Sequence, residues 1–351
     1  MSRDNKTLII LIPGFPANED DSTCVPFPQA FAKNIKQTNP DLKIKVLAFQ
    51  YPFSDGVYEW YGVEVHAFNG RNRGGFSRLL LWRTIWSRLK SICQEDQVMG
   101  ILSFWMGESA LIAKYAANKY HIRSFTWLMG QDARKNNRYV SIINPKRESL
   151  IALSDFLADE FYKNYRVRPA NTIPPGIVID SFPLKLSIRK IDILGVGSLI
   201  PLKQFDRLIK LVALLAKSNA DIKAVICGEG PERKKLQQLI HEYNLRSQVE
   251  LRGELDHGEI LGLMRDSKIL VHPSSYEGFS TVCAEALYQG AQVVSYCKPM
   301  HIDFDHQHIV RTEEEMENKV KELLNDKHLN QDRVLTYPIE ETCYKILSLY
   351  S

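Results

Sequence analysis

Glu277 and Glu285 bracket a helix start in the segment His272-Pro273-Ser274-Ser275-Tyr276-Glu277-Gly278-Phe279-Ser280-Thr281 and its continuation. An ionised carboxylate accepts several hydroxyl donors, as the diol of a ribose or a sugar supplies. Ser280 or Thr281 suits a helix N-cap, and Gly290 suits the far end. The unpaired N–H groups of that helix start would attract a diphosphate. A plainer reading stands beside this one: Glu277 as a solvated loop residue, and Glu285 as a charge that supports its helix.

Two further segments carry the same kind of chemistry. Gly195-Val196-Gly197-Ser198 ends a strand-like run and is followed by Lys203. Glycine lets a phosphate approach the backbone, and a nearby lysine neutralises it. A tight turn with a surface lysine explains the same residues. Gly228-Glu229-Gly230-Pro231-Glu232-Arg233 turns the chain after another strand, with Pro231 where its missing N–H costs nothing. Its exposed backbone would flank a base or a ribose, or would simply turn.

The elements that must position these groups alternate between strand-like and helix-like runs. Strands are predicted at 7–12, 42–49, 98–104 and 124–129, with helices at 28–38 and 109–119. The C-terminal half repeats the style. Its strands are predicted at 191–196, 222–227, 248–251, 269–272 and 292–295. Its helices are predicted at 206–218, 231–243, 259–265 and 281–289. Such β-α-β alternation implies mostly parallel, doubly wound sheets, which bind ligands at the C-terminal ends of their strands. Residues 173–186 hold three prolines and a glycine and read as a boundary. The chain therefore divides into an N-terminal domain at 1–178, a C-terminal domain at 179–335, and a closing helix at 336–351.

At 351 residues, 44% hydrophobic and 25% charged, the composition is that of a soluble two-domain protein. Residues 1–180 hold 23 Lys+Arg against 17 Asp+Glu, and the remainder 22 against 24. That mild basic excess suggests an anionic partner or surface and is too small to indicate nucleic acid. The six cysteines show no Cys-x-x-Cys spacing, which argues for reduced thiols and against a zinc site. Asp20-Asp21 reads as a solvated pair rather than a metal ligand. The short apolar run at 8–12 fits a buried first strand, not a signal segment or a membrane span.

Residues 71–90 hold Arg71, Arg73, Arg78, Arg83, Arg88 and Lys90 with no acidic residue. Leu79, Trp82, Trp86 and Leu89 recur at helical spacing. One reading is a basic interfacial helix drawn to anionic lipid. The other is a helix packed on its own domain with its arginines in solvent.

In order, Gly197, Lys203, Gly228, Gly230, Pro231, Pro273, Ser274, Glu277, Gly278, Phe279 and Glu285 resemble the nucleotide-sugar domain of the GT-B glycosyltransferases of family 4. The resemblance runs from about residue 192 to 296. It implies two Rossmann-like domains facing a central cleft. Lys203 would bind the donor diphosphate, Glu285 the ribose, and Glu277 the transferred sugar. The backbone of Gly278, Phe279 and Ser280 would line the sugar-phosphate pocket, and Arg252 would lie beside the base. The family often carries an arginine where Ser198 stands, so one positive charge is missing, and Lys298 is a candidate replacement. Gly14, in the loop Pro13-Gly14-Phe15-Pro16, falls where the family's glycine-rich loop nears the donor. Asp132, in Gly130-Gln131-Asp132, either orients an acceptor hydroxyl or caps the next segment.

The resemblance further implies transfer of a hexose from a nucleoside diphosphate sugar to a glycan or lipid-linked acceptor. Retention at the anomeric carbon and independence of cofactor and metal are part of it. Its setting would be bacterial-type cell-surface polysaccharide or glycoconjugate synthesis, in the cytoplasm or on the inner face of the plasma membrane. Two alternatives stand: a GT-B binding or scaffold subunit without turnover, and a GT-B epimerase or phosphorylase.

Overall fold

The structure is a computed structural model that describes residues 6–21, 24–179 and 189–351. The chain divides into two compact units, one of residues 1–178 with 337–351 and one of residues 179–336. Part of the expected boundary, residues 180–186, lies outside the described residues.

The N-terminal unit is an eight-stranded sheet. Its strands are β1 (Lys6–Gly14), β2 (Lys43–Tyr51), β3 (Asp55–Trp60), β4 (Val63–Phe68), β5 (Gln97–Phe104), β6 (Ser124–Leu128), β7 (Leu150–Ala152) and β8 (Asn171–Thr172). The order is β3-β4-β2-β1-β5-β6-β7-β8. Neighbours are parallel except β3, which pairs antiparallel with β4. The helices are α1 (Pro26–Thr38), α2 (Gly75–Glu95), α3 (Glu108–Tyr120), α4 (Arg138–Ile143) and α5 (Asp155–Tyr165). Residues Leu8 to Ile12 are buried throughout, as both faces of a parallel sheet are covered.

The β3–β4 hairpin has little trace in the residue pattern. Most of β3 is exposed, so no apolar alternation marks it. The hairpin turns on Tyr61 and Gly62, both at positive φ, and Tyr61 is an unusual residue for that conformation.

The basic segment departs from its expected geometry. Its helix begins at Gly75, so Arg71 and Arg73 precede it. Trp82 and Trp86 pack with Leu81 against the core of Ile85, Leu89 and Ile92. The apolar side chains left in solvent are Phe76, Leu79 and Leu80. Of the expected stripe, Leu89 is core, Trp82 and Trp86 are half-buried against it, and Leu79 stays in solvent.

The C-terminal unit is a six-stranded, all-parallel sheet. Its strands are β9 (Ile191–Val196), β10 (Ala224–Cys227), β11 (Val249–Gly253), β12 (Ser267–His272), β13 (Gln292–Ser295) and β14 (Gln307–Ile309). The order is β11-β10-β9-β12-β13-β14. The helices are α6 (Phe205–Ala216), α7 (Arg233–Glu242), α8 (His257–Arg265), α9 (Thr281–Tyr288) and α10 (Glu313–Asn325). Successive β9 residues feed opposite cores, Ile193 on one face and Leu194 on the other. Arg189, half-buried, donates to the carbonyls of Met264 (3.2 Å) and Gln289 (2.9 Å), at the C-terminal ends of α8 and α9.

The chain then returns to the N-terminal unit through α11 (Ile339–Ser348), which packs on α1. Thr342 donates to the Pro174 carbonyl at 2.9 Å, and Tyr350 to that of Ile101 at 2.9 Å. A side chain at Gly100 would meet the Tyr350 ring at 2.1 Å, so only glycine leaves room for this anchor. Among the described residues no helix is long and apolar enough to cross a membrane.

Candidate functional site

The site in the C-terminal unit forms at the exits of β9, β10 and β12, with β9 between the other two. Gly197 follows β9 and adopts φ 146°, and Gly228 follows β10 at φ 138°. A Cβ on Gly228 would stand 2.0 Å from the Gly197 carbonyl oxygen. The close approach needs glycine, both for φ and for space. The amide of Leu199 donates to the Glu229 carbonyl at 2.8 Å, and that of Glu232 returns to the Leu199 carbonyl at 2.9 Å. Gly230 lies in the same contact, its Cβ position 2.5 Å from the Leu199 carbonyl oxygen. On the other side, the amide of Ser275 donates to the Leu202 carbonyl at 3.1 Å. Three segments distant in sequence thus share one backbone network.

Lys203 closes a short 3-10 turn, and its ammonium lies 2.6 Å from Glu277 Oε2. The same oxygen lies 3.3 Å from Nε2 of His272, the last residue of β12. His272 is 3% exposed at its side chain, Lys203 19% and Glu277 21%, so the cluster is sheltered but reachable. Burial opposes ionisation of Glu277, but the His272 hydrogen bond and the Lys203 charge outweigh it and hold its carboxyl below the ordinary value. Burial also depresses His272, against the pull of Glu277. The direction that follows is an ionised Glu277 held between Lys203 and a neutral imidazole.

Glu285 lies in α9, and its Oε1 is 2.8 Å from Nε2 of His257 at the start of α8. Ser280 caps α9, its hydroxyl accepting from the Cys283 amide at 3.3 Å. Gly278 and Phe279 are buried beside it. His272, Glu277, Phe279, Ser280, Cys283 and Cys297 help line a cavity of about 20 Å³, room for about one water.

Ser198 is exposed at the same β9 exit, between Gly197 and Leu199. Arg252 pairs with Glu250 at 2.9 Å on the edge strand and lines a separate groove with Leu255 and Glu259. Lys298 pairs with Asp303 at 2.5 Å. Lys298 is exposed, and this surface pair is what the structure shows of it.

Gly14 and Asp132 lie in the N-terminal unit, in the lining of one pocket of about 620 Å³. Asp132 is only 4% exposed, and its Oδ2 accepts the amides of Met106 (2.9 Å) and Met129 (2.7 Å). Burial pushes its carboxyl up to about 7 against the pull of those two bonds. Through Oδ2, Asp132 braces the turns after β5 and β6 while lining the pocket. At the same mouth Glu108 accepts from Arg78 Nε at 3.1 Å and from Gln50 Nε2 at 3.1 Å.

His272 and His257 carry no role in the residue pattern. His272 stands five positions before Glu277, a spacing with no fixed geometry in a loop. His257 reaches Glu285 only through the packing of α8 on α9. Among the described residues no group of three or more His, Cys, Asp or Glu is arranged to hold a metal ion.

Residues 179–335 match the family described as "Glycosyl transferases group 1". The phosphatidylinositol N-acetylglucosaminyltransferase GPI3 subunit of Saccharomyces cerevisiae (strain YJM789) is 27% identical over 150 residues, 43% of this chain and 33% of that protein. The chain spans about a third of the length of the first curated relatives it matches. Two solved structures cover nearly all of it. A point mutant of S. aureus TarM in complex with fondaparinux, α-GlcNAc-glycerol and UDP has a TM-score of 0.72 at 14% identity, over 99% of this chain and 100% of that one. Anabaena Alr3699/HepE in complex with UDP and glucose has a TM-score of 0.69 at 15% identity, over 98% of each chain. The resemblance to GT-B glycosyltransferases holds, and the two Rossmann-like α/β units are of the GT-B type.

Proposed function

We propose that this chain, whose residues 179–335 match the group 1 glycosyl transferases, moves a sugar from a nucleoside diphosphate donor to a glycan or lipid-linked acceptor. One observation carries the reading. The glycine turns at Gly197 and Gly228 and the Lys203–Glu277 pair, far apart in sequence, meet at one end of a single parallel sheet. That is where such sheets bind nucleotides.

Lys203 and the positive end of the α9 dipole would take the diphosphate and stabilise its charge as the glycosidic bond breaks. Glu277, released from Lys203 by the arriving phosphate, would accept a sugar hydroxyl. Glu285 would exchange His257 for the ribose diol. Positive charge from side chain and backbone suits a metal-independent reaction needing no cofactor. Retention at the anomeric carbon follows from the family 4 resemblance. UDP is the first donor base to test, since both TarM and HepE were solved with it.

The acceptor side falls to the pocket that holds Gly14 and Asp132. Phe76, Leu79 and Leu80, exposed beside Arg83, would let α2 rest on an anionic membrane that presents a lipid-linked acceptor.

A second reading, a binding subunit without turnover, has its own support. The diphosphate locus offers Lys203, already paired with Glu277, and Ser198 in place of a second cation. A thermal-shift screen with UDP-, GDP- and ADP-sugars, followed by donor-hydrolysis assays, separates the two. Stabilisation with turnover supports the transferase, stabilisation without turnover supports the binding subunit, and no stabilisation by any donor rejects both.

A further inference from the structure

The pocket of the N-terminal unit carries more positive charge than its own side chains use. It lies at the C-terminal ends of β1, β2, β5 and β6 and encloses about 620 Å³. Its charged lining is Arg73, Arg78, Arg134 and Lys135 against Glu108 and Asp132. Both carboxylates are engaged. Glu108 holds Arg78 and Gln50, and Asp132 is sealed under the Met106 and Met129 amides. Arg73 and Lys135 are exposed, and among the described residues neither has a carboxylate partner. Several cations held around one concavity repel one another when it is empty and focus their field into it.

Charge selects among anions. Arg73 comes from the turn before α2, whereas Lys135 comes from the segment after β6. A carboxylate brings one negative charge, whereas a phosphate monoester brings nearly two with three strong acceptor oxygens, which two cations from separate segments can share. The remaining lining supplies an apolar wall, with Phe49, Trp105 and Met106, and amide groups, with Asn72, Gln131 and Asn136, for the uncharged part of a ligand.

We infer that this pocket binds a phosphate ester, and that the acceptor is phosphate-bearing, held through Arg73 and Lys135. The second half of the inference rests on the transferase reading above; the first does not.

The test uses the full chain and the paired variant Arg73→Gln with Lys135→Gln. Both side chains are exposed, so the variant should fold, and an unchanged unfolding temperature checks this. Glycerol 3-phosphate, titrated by calorimetry, should bind wild type and bind the variant at least about tenfold more weakly. Vesicles of phosphatidylcholine with and without phosphatidylglycerol separate the source of the ester. Loss of both glycerol 3-phosphate and phosphatidylglycerol-vesicle binding supports a lipid headgroup. Loss of glycerol 3-phosphate alone supports a soluble phosphate-bearing acceptor. Glycerol 3-phosphate that binds neither protein, or both equally, overturns the inference. Donor-sugar affinity should be the same in both proteins, and wild type that binds no UDP-, GDP- or ADP-sugar would sink the transferase reading while leaving the phosphate site standing.

Discussion

The carboxylate of Glu277 lies 2.6 Å from the ammonium of Lys203, although the two residues belong to different strand exits. The pair is partly buried, and His272 contacts the same Glu277 oxygen. Removing one partner leaves the other charge poorly solvated, which is costly in such a place. Lys203→Ala should therefore destabilise the chain by roughly 1–3 kcal/mol in urea unfolding. It should also lower kcat by about 10²–10³, the scale of losing one transition-state charge donor. A variant with unchanged kcat would remove Lys203 from the chemistry.

Glu285 is held by His257 at 2.8 Å. If the ribose takes over that carboxylate, Glu285→Ala should weaken UDP binding by about 10- to 100-fold, the worth of hydrogen bonds to a charged group. His257→Ala removes only a competitor and should leave affinity equal or tighter. Calorimetry of both variants decides; a loss in His257→Ala comparable to Glu285→Ala would make the histidine a ligand contact instead.

Asp132 and His272 give opposite pH responses. Folded Asp132 keeps its proton up to about pH 7, whereas an unfolded aspartate releases it near 3.8. Between those values the native state binds more protons, so this contribution is present at low pH and fades as pH rises towards 7. Burial lowers His272 below its ordinary 6.5. Its contribution is present above 6.5 and fades as pH falls below that value, because the unfolded histidine then takes a proton the folded one refuses. Thermal unfolding from pH 4.5 to 8 should show Asp132→Asn removing a loss of stability as pH rises towards 7, and His272→Gln removing a gain of stability as pH rises towards 6.5. Curves parallel to wild type would contradict the assignment.

Gly228 has no room for a side chain: Cβ would strike the Gly197 carbonyl oxygen, and φ is 138°. Gly228→Ala should cost at least about 2 kcal/mol through strain and clash. Donor affinity should fall with it, since the two turns move together. Calorimetric unfolding together with UDP titration reads both effects, and a neutral substitution would show that the turns are not rigidly joined.

Phe76, Leu79 and Leu80 are the apolar residues that α2 exposes, at 74%, 59% and 49%. Replacing all three with Ser should reduce binding to phosphatidylglycerol vesicles about tenfold or more with little effect on stability. Trp86→Ala should instead lower stability, since Trp86 packs on the core. Vesicle co-sedimentation beside thermal unfolding distinguishes them. Wild type that ignores anionic vesicles would end the membrane reading.

The residue order alone determined the alternating α/β class and the donor-side motif. Strand runs such as Ile191 to Val196 are buried on both faces, so composition marks them without knowledge of neighbours. Gly228, Gly230, Glu277 and Glu285 stand at fixed offsets within single strand-loop-helix units, where local geometry follows from local sequence. Tertiary structure decided what depended on contacts between distant segments. Trp82 and Trp86 look interfacial by spacing, and only the packing of α2 on its own unit half-buries them against the core. Asp132 looks available in its loop, and only the amides of Met106 and Met129 engage it. His272 and His257 gain their partners, and Arg73 and Lys135 their shared pocket, from elements that the chain brings together only on folding. Those relationships depend on how helices and strands pack, and hydrophobic periodicity carries no record of which polar side chains that packing brings face to face.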